Sequence, residues 1–260
     1  MEECELFESW VDEFLALYAT YEGAVVNPQV AICDFLENAV VDEFKVFTDV
    51  FKSRGVDCSI CDVRALRFDG ERLTDADGRR IDAIWRRCVT NDIMEFWDGS
   101  QALIEAVRAR KVALIGGFSG HIVHDKQIFS VLSHPATKAF LSEEEAAFID
   151  NHIPFTTFLD ADHIDLGRVR ADKDAWIIKP TDHYGADNVY AGSFWSQEEW
   201  DGLIDRFANG ASGMPFLVQE YCRPFKTLVL RPDTDIENLA DEQVSREGVP
   251  YNNIQGLYLY

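Results

Sequence analysis

Residues 30–63 read VAICDFLENAVVDEFKVFTDVFKSRGVDCSICDV, and the change of pattern inside this stretch decides the fold. Val30 to Phe35 is a short apolar run suited to a buried strand. Asp42 to Arg54 then places Phe44, Val46, Phe47, Val50 and Phe51 at helical spacing and stops at Gly55, where a left-handed cap costs little. Val56 to Val63 is the next strand. Strand, helix and strand with a short exit is the repeating unit of a parallel sheet.

Upstream, residues 5–22 put Leu6, Phe7, Trp10, Val11, Phe14, Leu15, Leu17, Tyr18 and Tyr21 on a helical period with acids between them, an amphipathic helix that must dock on something. Asn27-Pro28 ends it. Downstream, Phe68-Asp-Gly-Glu71 and Asp77-Gly78 are tight-turn signals within a β excursion that returns through Arg80 to Val89. Ser100 to Arg110 reads as a helix, and Val112 to Phe118 as a strand running into Gly116, Gly117 and Gly120. This half is expected to be α/β and Rossmann-like.

The second half changes character. Ser142-Glu-Glu-Glu145 and Ser196-Gln-Glu-Glu199 are capping boxes that open helices reaching Asn151 and about Asn209. Trp176-Ile-Ile-Lys-Pro180 is a buried strand with a lysine near its end. Asn188 to Gly192 reads as its hairpin partner, and Phe216 to Cys222 as a further strand. The expected division is an N-terminal helix over 1–27, a Rossmann-like domain over 28–135 and an α+β region over 136–260.

Composition sets outer limits. With 260 residues, 47% hydrophobic, the chain can bury a core and is neither disordered nor fibrous. The net charge of -22 argues against nucleic acid or an anionic membrane as a partner. No apolar run approaches the roughly 20 residues that cross a bilayer. The opening Met-Glu-Glu-Cys-Glu lacks a basic, apolar leader, so a cytoplasmic protein with six reduced cysteines is expected. Cys58-Ser-Ile-Cys61 has half of a zinc or redox spacing but no second ligand pair, and reads as strand. His121-Ile-Val-His124, with Asp125 beside it, has no further ligand identifiable by spacing and reads as ordinary structural histidines.

Lys126 and Lys179, the loop Tyr184 to Gly192 and Val218-Gln-Glu-Tyr221 form the most informative constellation. Two lysines from different strands and a glycine loop can neutralise and cover a polyphosphate, while a strand edge offers backbone groups to a purine. No Walker or GxGxxG pattern is present.

In order and wording, Asp82-Ala-Ile-Trp-Arg-Arg-Cys-Val89, His124-Asp-Lys-Gln-Ile-Phe129, His152-Ile-Pro-Phe-Thr156, Ile178-Lys-Pro-Thr-Asp-His-Tyr-Gly185 and Val218-Gln-Glu-Tyr221 resemble the circularly permuted ATP-grasp proteins, the glutathionylspermidine-synthase-like group. The resemblance covers about residues 28–225. It implies a Rossmann-like pre-ATP-grasp domain followed by partial ATP-grasp subdomains, using ATP and Mg2+ to join a small carboxylate to an amine through an acylphosphate. Carried over, Lys126 and Lys179 contact the nucleotide, Gly185 and Gly192 belong to the loop closing over its phosphates, and Gln219, Glu220 and Tyr221 form the hinge at adenine. Arg86 and Arg87, at a strand end, would hold an anionic substrate group.

Two departures accompany it. Where the family loop reads Tyr-Gly-Gly-Lys-Gly, this one reads Tyr184-Gly-Ala-Asp-Asn188, which would set Asp187 against a triphosphate. The family's magnesium-binding Glu and Asn belong to a segment upstream of the matched region. Tyr251 to Tyr260 reads as the start of a strand pair, and Glu37-Asn38 and Asp233 to Glu237 are acid clusters that read as solvated loops. The alternatives are a non-catalytic nucleotide-binding or protein-interaction scaffold, and one half of a split ligase completed by a second chain.

Overall fold

The computed structural model describes residues 6–37, 39–210, 213–229 and 249–253, divided between two compact units, 1–121 and 122–259. The first holds α1 (Phe7–Ala19), β1 (Gln29–Asp34), α2 (Val41–Ser53) and β2 (Asp57–Asp62). Next is a three-stranded antiparallel meander, β3 (Arg67–Phe68), β4 (Leu73–Thr74) and β5 (Arg80–Ile81). It leads into β6 (Ala83–Arg86), α3 (Thr90–Glu95), α4 (Gln101–Arg108) and β7 (Ala113–Ile115). The main sheet has the order β2-β1-β6-β7 with every neighbour parallel.

Period-two alternation in β1 builds two cores from one strand. Val30 and Ile32 pack with Phe14 of α1 and Phe44, Phe47 and Phe51 of α2, while Ala31 and Cys33 pack with Leu103 and Ile104 of α4 and with Leu73 and Ile81 of the meander. Both faces of the sheet are covered, as all-parallel sheets require. The amphipathic helix is not a separate module. Trp10 stacks on Trp85 at 3.7 Å, and Arg54 holds α1 through Asp12 (2.7 Å) and Glu8 (3.2 Å).

The second unit begins inside α5 (His121–His124), whose first residue, His121, is the last of the first unit, and continues through α6 (Gln127–Ser133), α7 (Pro135–Lys138) and α8 (Glu143–His152). The division falls after residue 121 rather than 135 because these helices belong to the second unit's own sheet; α6 packs on the strand β8 (Thr156–Phe158). Beyond β8 come α9 (Leu166–Ala171), β9 (Trp176–Pro180), β10 (Tyr190–Ala191), α10 (Gln197–Phe207) and β11 (Phe216–Glu220). These strands form an antiparallel sheet in the order β10-β9-β11-β8. Trp176, Ile178, Phe216 and Val218 face a core closed by Val169, Trp200, Ile204 and Phe207. Trp200 Nε1 donates to the Val169 carbonyl at 3.0 Å, so the buried indole is satisfied. Both capping boxes are formed, Ser142 with Glu145 and Ser196 with Glu199. A separate pair, β12 (Phe225–Val229) and β13 (Val249–Asn253), takes up the beginning of the expected terminal strand. Asp233 to Glu237 and residues 254–260 lie outside the described residues.

Candidate functional site

Along β9 the core takes Trp176 and Ile178, which turns Ile177 and Lys179 to the opposite face of the sheet. Their antiparallel partners on β11 are Gln219 and Leu217. Lys179 Nζ donates to Gln219 Oε1 at 2.6 Å, and Gln219 Nε2 donates to the Thr156 hydroxyl at 2.7 Å. The Thr156 hydroxyl in turn donates to the Pro154 carbonyl at 2.9 Å. Gln219 and Thr156 are buried, so the chain fixes which amide oxygen meets the ammonium. Burial holds the Lys179 pKa below the ordinary lysine range, and the neighbouring Lys126 charge pushes it further in the same direction.

Lys126 precedes α6. Its backbone N–H donates to the Thr181 carbonyl at 2.9 Å and its ammonium to the His183 carbonyl, so one residue is stapled twice to the segment leaving β9. The two lysines predicted to act together are therefore close in the same unit. Beside them the loop turns through left-handed Gly185, Ala186 and Asn188. Asp187 does not project alone: it pairs with His183 Nδ1 at 3.0 Å and accepts from Asn188 Nδ2 at 2.9 Å, and Tyr190 donates to Asn188 Oδ1 at 2.8 Å. The acid stabilises the turn.

An open pocket of about 770 Å³ adjoins the lysine face, lined by Ile177, Ala191, Phe194, Tyr221, Phe225 and Asn252 among others. Ile177, which lines the pocket, is two residues before Lys179 on the same side of β9; neither Lys126 nor Lys179 is itself among the lining residues. Of the expected hinge, Tyr221 lines this pocket, Gln219 works through its side chain, and Glu220 is exposed. The N–H groups of Glu220 and Tyr221 already donate to Phe155 and Ala175 carbonyls, at 2.9 and 2.8 Å.

Three expected residues have other duties. Gly192 is buried in a tight turn after β10, where its α-carbon abuts Lys173; a Cβ there would come within 2.0 Å of the Lys173 carbonyl oxygen, so packing alone requires glycine here. In the first unit Arg86 donates to the carbonyls of Gly116 (2.5 Å), Cys88 (2.6 Å) and Gly117 (3.2 Å) and lies over Phe118. Arg87 pairs with Glu43 at 3.2 Å and lies over Trp85. Both guanidiniums expected at a substrate anion are engaged in holding the end of β6.

His121 and His124 acquire the third ligand that their spacing did not reveal. One ligand atom from each, with one from Asp182, lie within 4.8 Å of one another. Asp182 stands 58 positions after His124 and enters because the strand β9 ends there. No protein-family model and no curated protein matches this chain.

Proposed function

We propose that the second unit binds ATP and serves an ATP-grasp type ligase that joins a carboxylate to an amine through an acylphosphate. The observation that carries the nucleotide part is the pairing of Lys126 with an ordered, half-buried Lys179 beside an apolar pocket. A purine would occupy the pocket between Ile177, Ala191 and Tyr221. Its phosphates would reach along β9 to the two ammonium groups, which form charge-assisted hydrogen bonds with phosphate oxygens. Anion binding would also relieve the repulsion between the lysines and raise the Lys179 proton affinity. For Mg2+ the described residues offer less. Their convergent set of three ligands contains two imidazoles, whereas Mg2+ takes oxygen ligands in an octahedron.

A scaffold that binds nucleotide without ligase chemistry is the second reading, favoured by the engagement of Arg86 and Arg87 in structural hydrogen bonds and ion pairs. Calorimetric titration with ATP and Mg2+ tests the shared premise. Lys179→Ala is expected to weaken ATP binding roughly ten- to hundredfold, the worth of one charged hydrogen bond, with the circular dichroism spectrum kept. Equal affinity in the two proteins rejects the site. With binding established, ATP-dependent trapping of an acylphosphate by hydroxylamine, using a panel of small carboxylates, separates the ligase from the scaffold.

A further inference from the structure

We propose that His121, His124 and Asp182 form a binding site for a divalent transition cation of the zinc class. The site does not depend on the nucleotide reading. The two histidines stand three positions apart on α5, a spacing that brings side chains to the same side of a helix. The short helix is inverted in polarity: Ile122 and Val123 are 75% and 67% exposed, while His124 is 38% exposed and turned toward Asp182. Leaving two aliphatic side chains in water to place two imidazoles beside a carboxylate runs against burial and suits a ligand set.

The backbone that carries Asp182 is fixed on both sides. Thr181 accepts from the Lys126 N–H at 2.9 Å, and His183 accepts from the Lys126 ammonium. Lys126 is two residues after His124, so the same residue ties the carboxylate segment to the helix that bears the imidazoles. Thr181 is itself buried and donates its N–H to Pro215 at 3.2 Å. A metal site needs this support from its surroundings to hold ligands in register.

The dimensions fit. His124 Nε2 and Asp182 Oδ1 are 3.8 Å apart, wider than a hydrogen bond. A tetrahedral cation with bonds of about 2.1 Å separates its ligands by about 3.4 Å. A small rotation of side-chain torsions therefore closes the set. Two nitrogens and one oxygen favour Zn2+, Co2+ or Ni2+ over Mg2+ or Ca2+, and three ligands leave a coordination position for water or a further anion.

The test uses the full chain, stripped with chelator and titrated with Zn2+ by calorimetry and with Co2+ by absorption. One equivalent is expected, with Co2+ giving visible d–d bands and no thiolate charge-transfer band. His124→Ala and Asp182→Asn, each with an unchanged circular dichroism spectrum, should weaken Zn2+ binding at least roughly tenfold, since loss of even a supporting contact to a ligand has that effect. Where a variant fails to fold, His121→Gln supplies the same comparison. Absence of stoichiometric Zn2+ binding, retention of affinity in the folded variants, or a thiolate band showing that the cysteines hold the metal would each overturn the proposal.

Discussion

At Gly192 and Gly185 the same residue type answers to different physics. A methyl group at Gly192 meets backbone at 2.0 Å, whereas Gly185 has nothing within 4 Å and only its φ of +66° to satisfy. Gly192→Ala is expected to destabilise by about 3 kcal/mol or more as the turn is forced from Lys173, and Gly185→Ala by about 1 kcal/mol from the left-handed backbone alone. Urea unfolding of both proteins decides it, and a smaller loss at Gly192 would refute the packing explanation. Lys179 carries a pH signature. Because its folded pKa is lowered, the buried ammonium costs stability in full below that pKa. The cost fades as pH rises toward the unfolded lysine value of about 10.4. The protein should therefore gain stability from this group through the alkaline range, and Lys179→Met should lack that gain in unfolding measured from pH 7 to pH 10. Among the described cysteines Cys222 is exposed, whereas burial pushes the Cys58 and Cys88 thiols up to about 12. In a Cys4→Ser background, maleimide should label Cys222 before Cys88, which is buried and whose thiol is held protonated. The sequence singled out Lys126 and Lys179 through their association with a glycine loop and through the family resemblance, and of the two only Lys179 lies on a strand. The contacts of Arg86 with the Gly116 and Gly117 carbonyls, of Gly192 with the Lys173 carbonyl and of Arg87 with Glu43 were not legible, because they join segments far apart in the chain.

The elements divide in the same way between local and distant causes. Capping boxes at Ser142 and Ser196 formed where they were read because cap and N3 residue are three positions apart. Ser196→Ala should cost about 1 kcal/mol in urea unfolding. The β1-α2-β2 unit was legible for the same reason, since periodicity and the Gly55 stop lie within one stretch. What α1 docks on was not, because its partners Phe44, Phe51 and Trp85 are brought by the sheet and not by the helix. Phe14, 2% exposed between α1 and the sheet, tests its membership of the first unit: Phe14→Ala should cost about 3 to 5 kcal/mol. A helix merely appended to the fold would lose far less. Equally unreadable was the order β10-β9-β11-β8, which sets Gln219 beside Lys179 across 40 positions. The approach of Asp182 to the histidine pair was hidden by a similar distance.

Over the whole molecule the charge of -22 is a cost that folding must carry, since compaction brings like charges together. Raising salt from low ionic strength should raise the unfolding temperature, even though it weakens ion pairs such as Arg54 with Asp12. Calorimetry across a salt series checks the sign. Against that background β12 and β13 stand out, because every residue of β12 is exposed and, among the described residues, the two form a sheet of two strands. An exposed two-stranded ribbon is marginal in water, so its amides should exchange with deuterium sooner than those of β9 or β11. Phe225 and Asn252, one from each strand, also line the pocket beside Lys179. An occupant gripping both would slow exchange along the ribbon, which turns this hairpin into a built-in reporter of whether the pocket is filled.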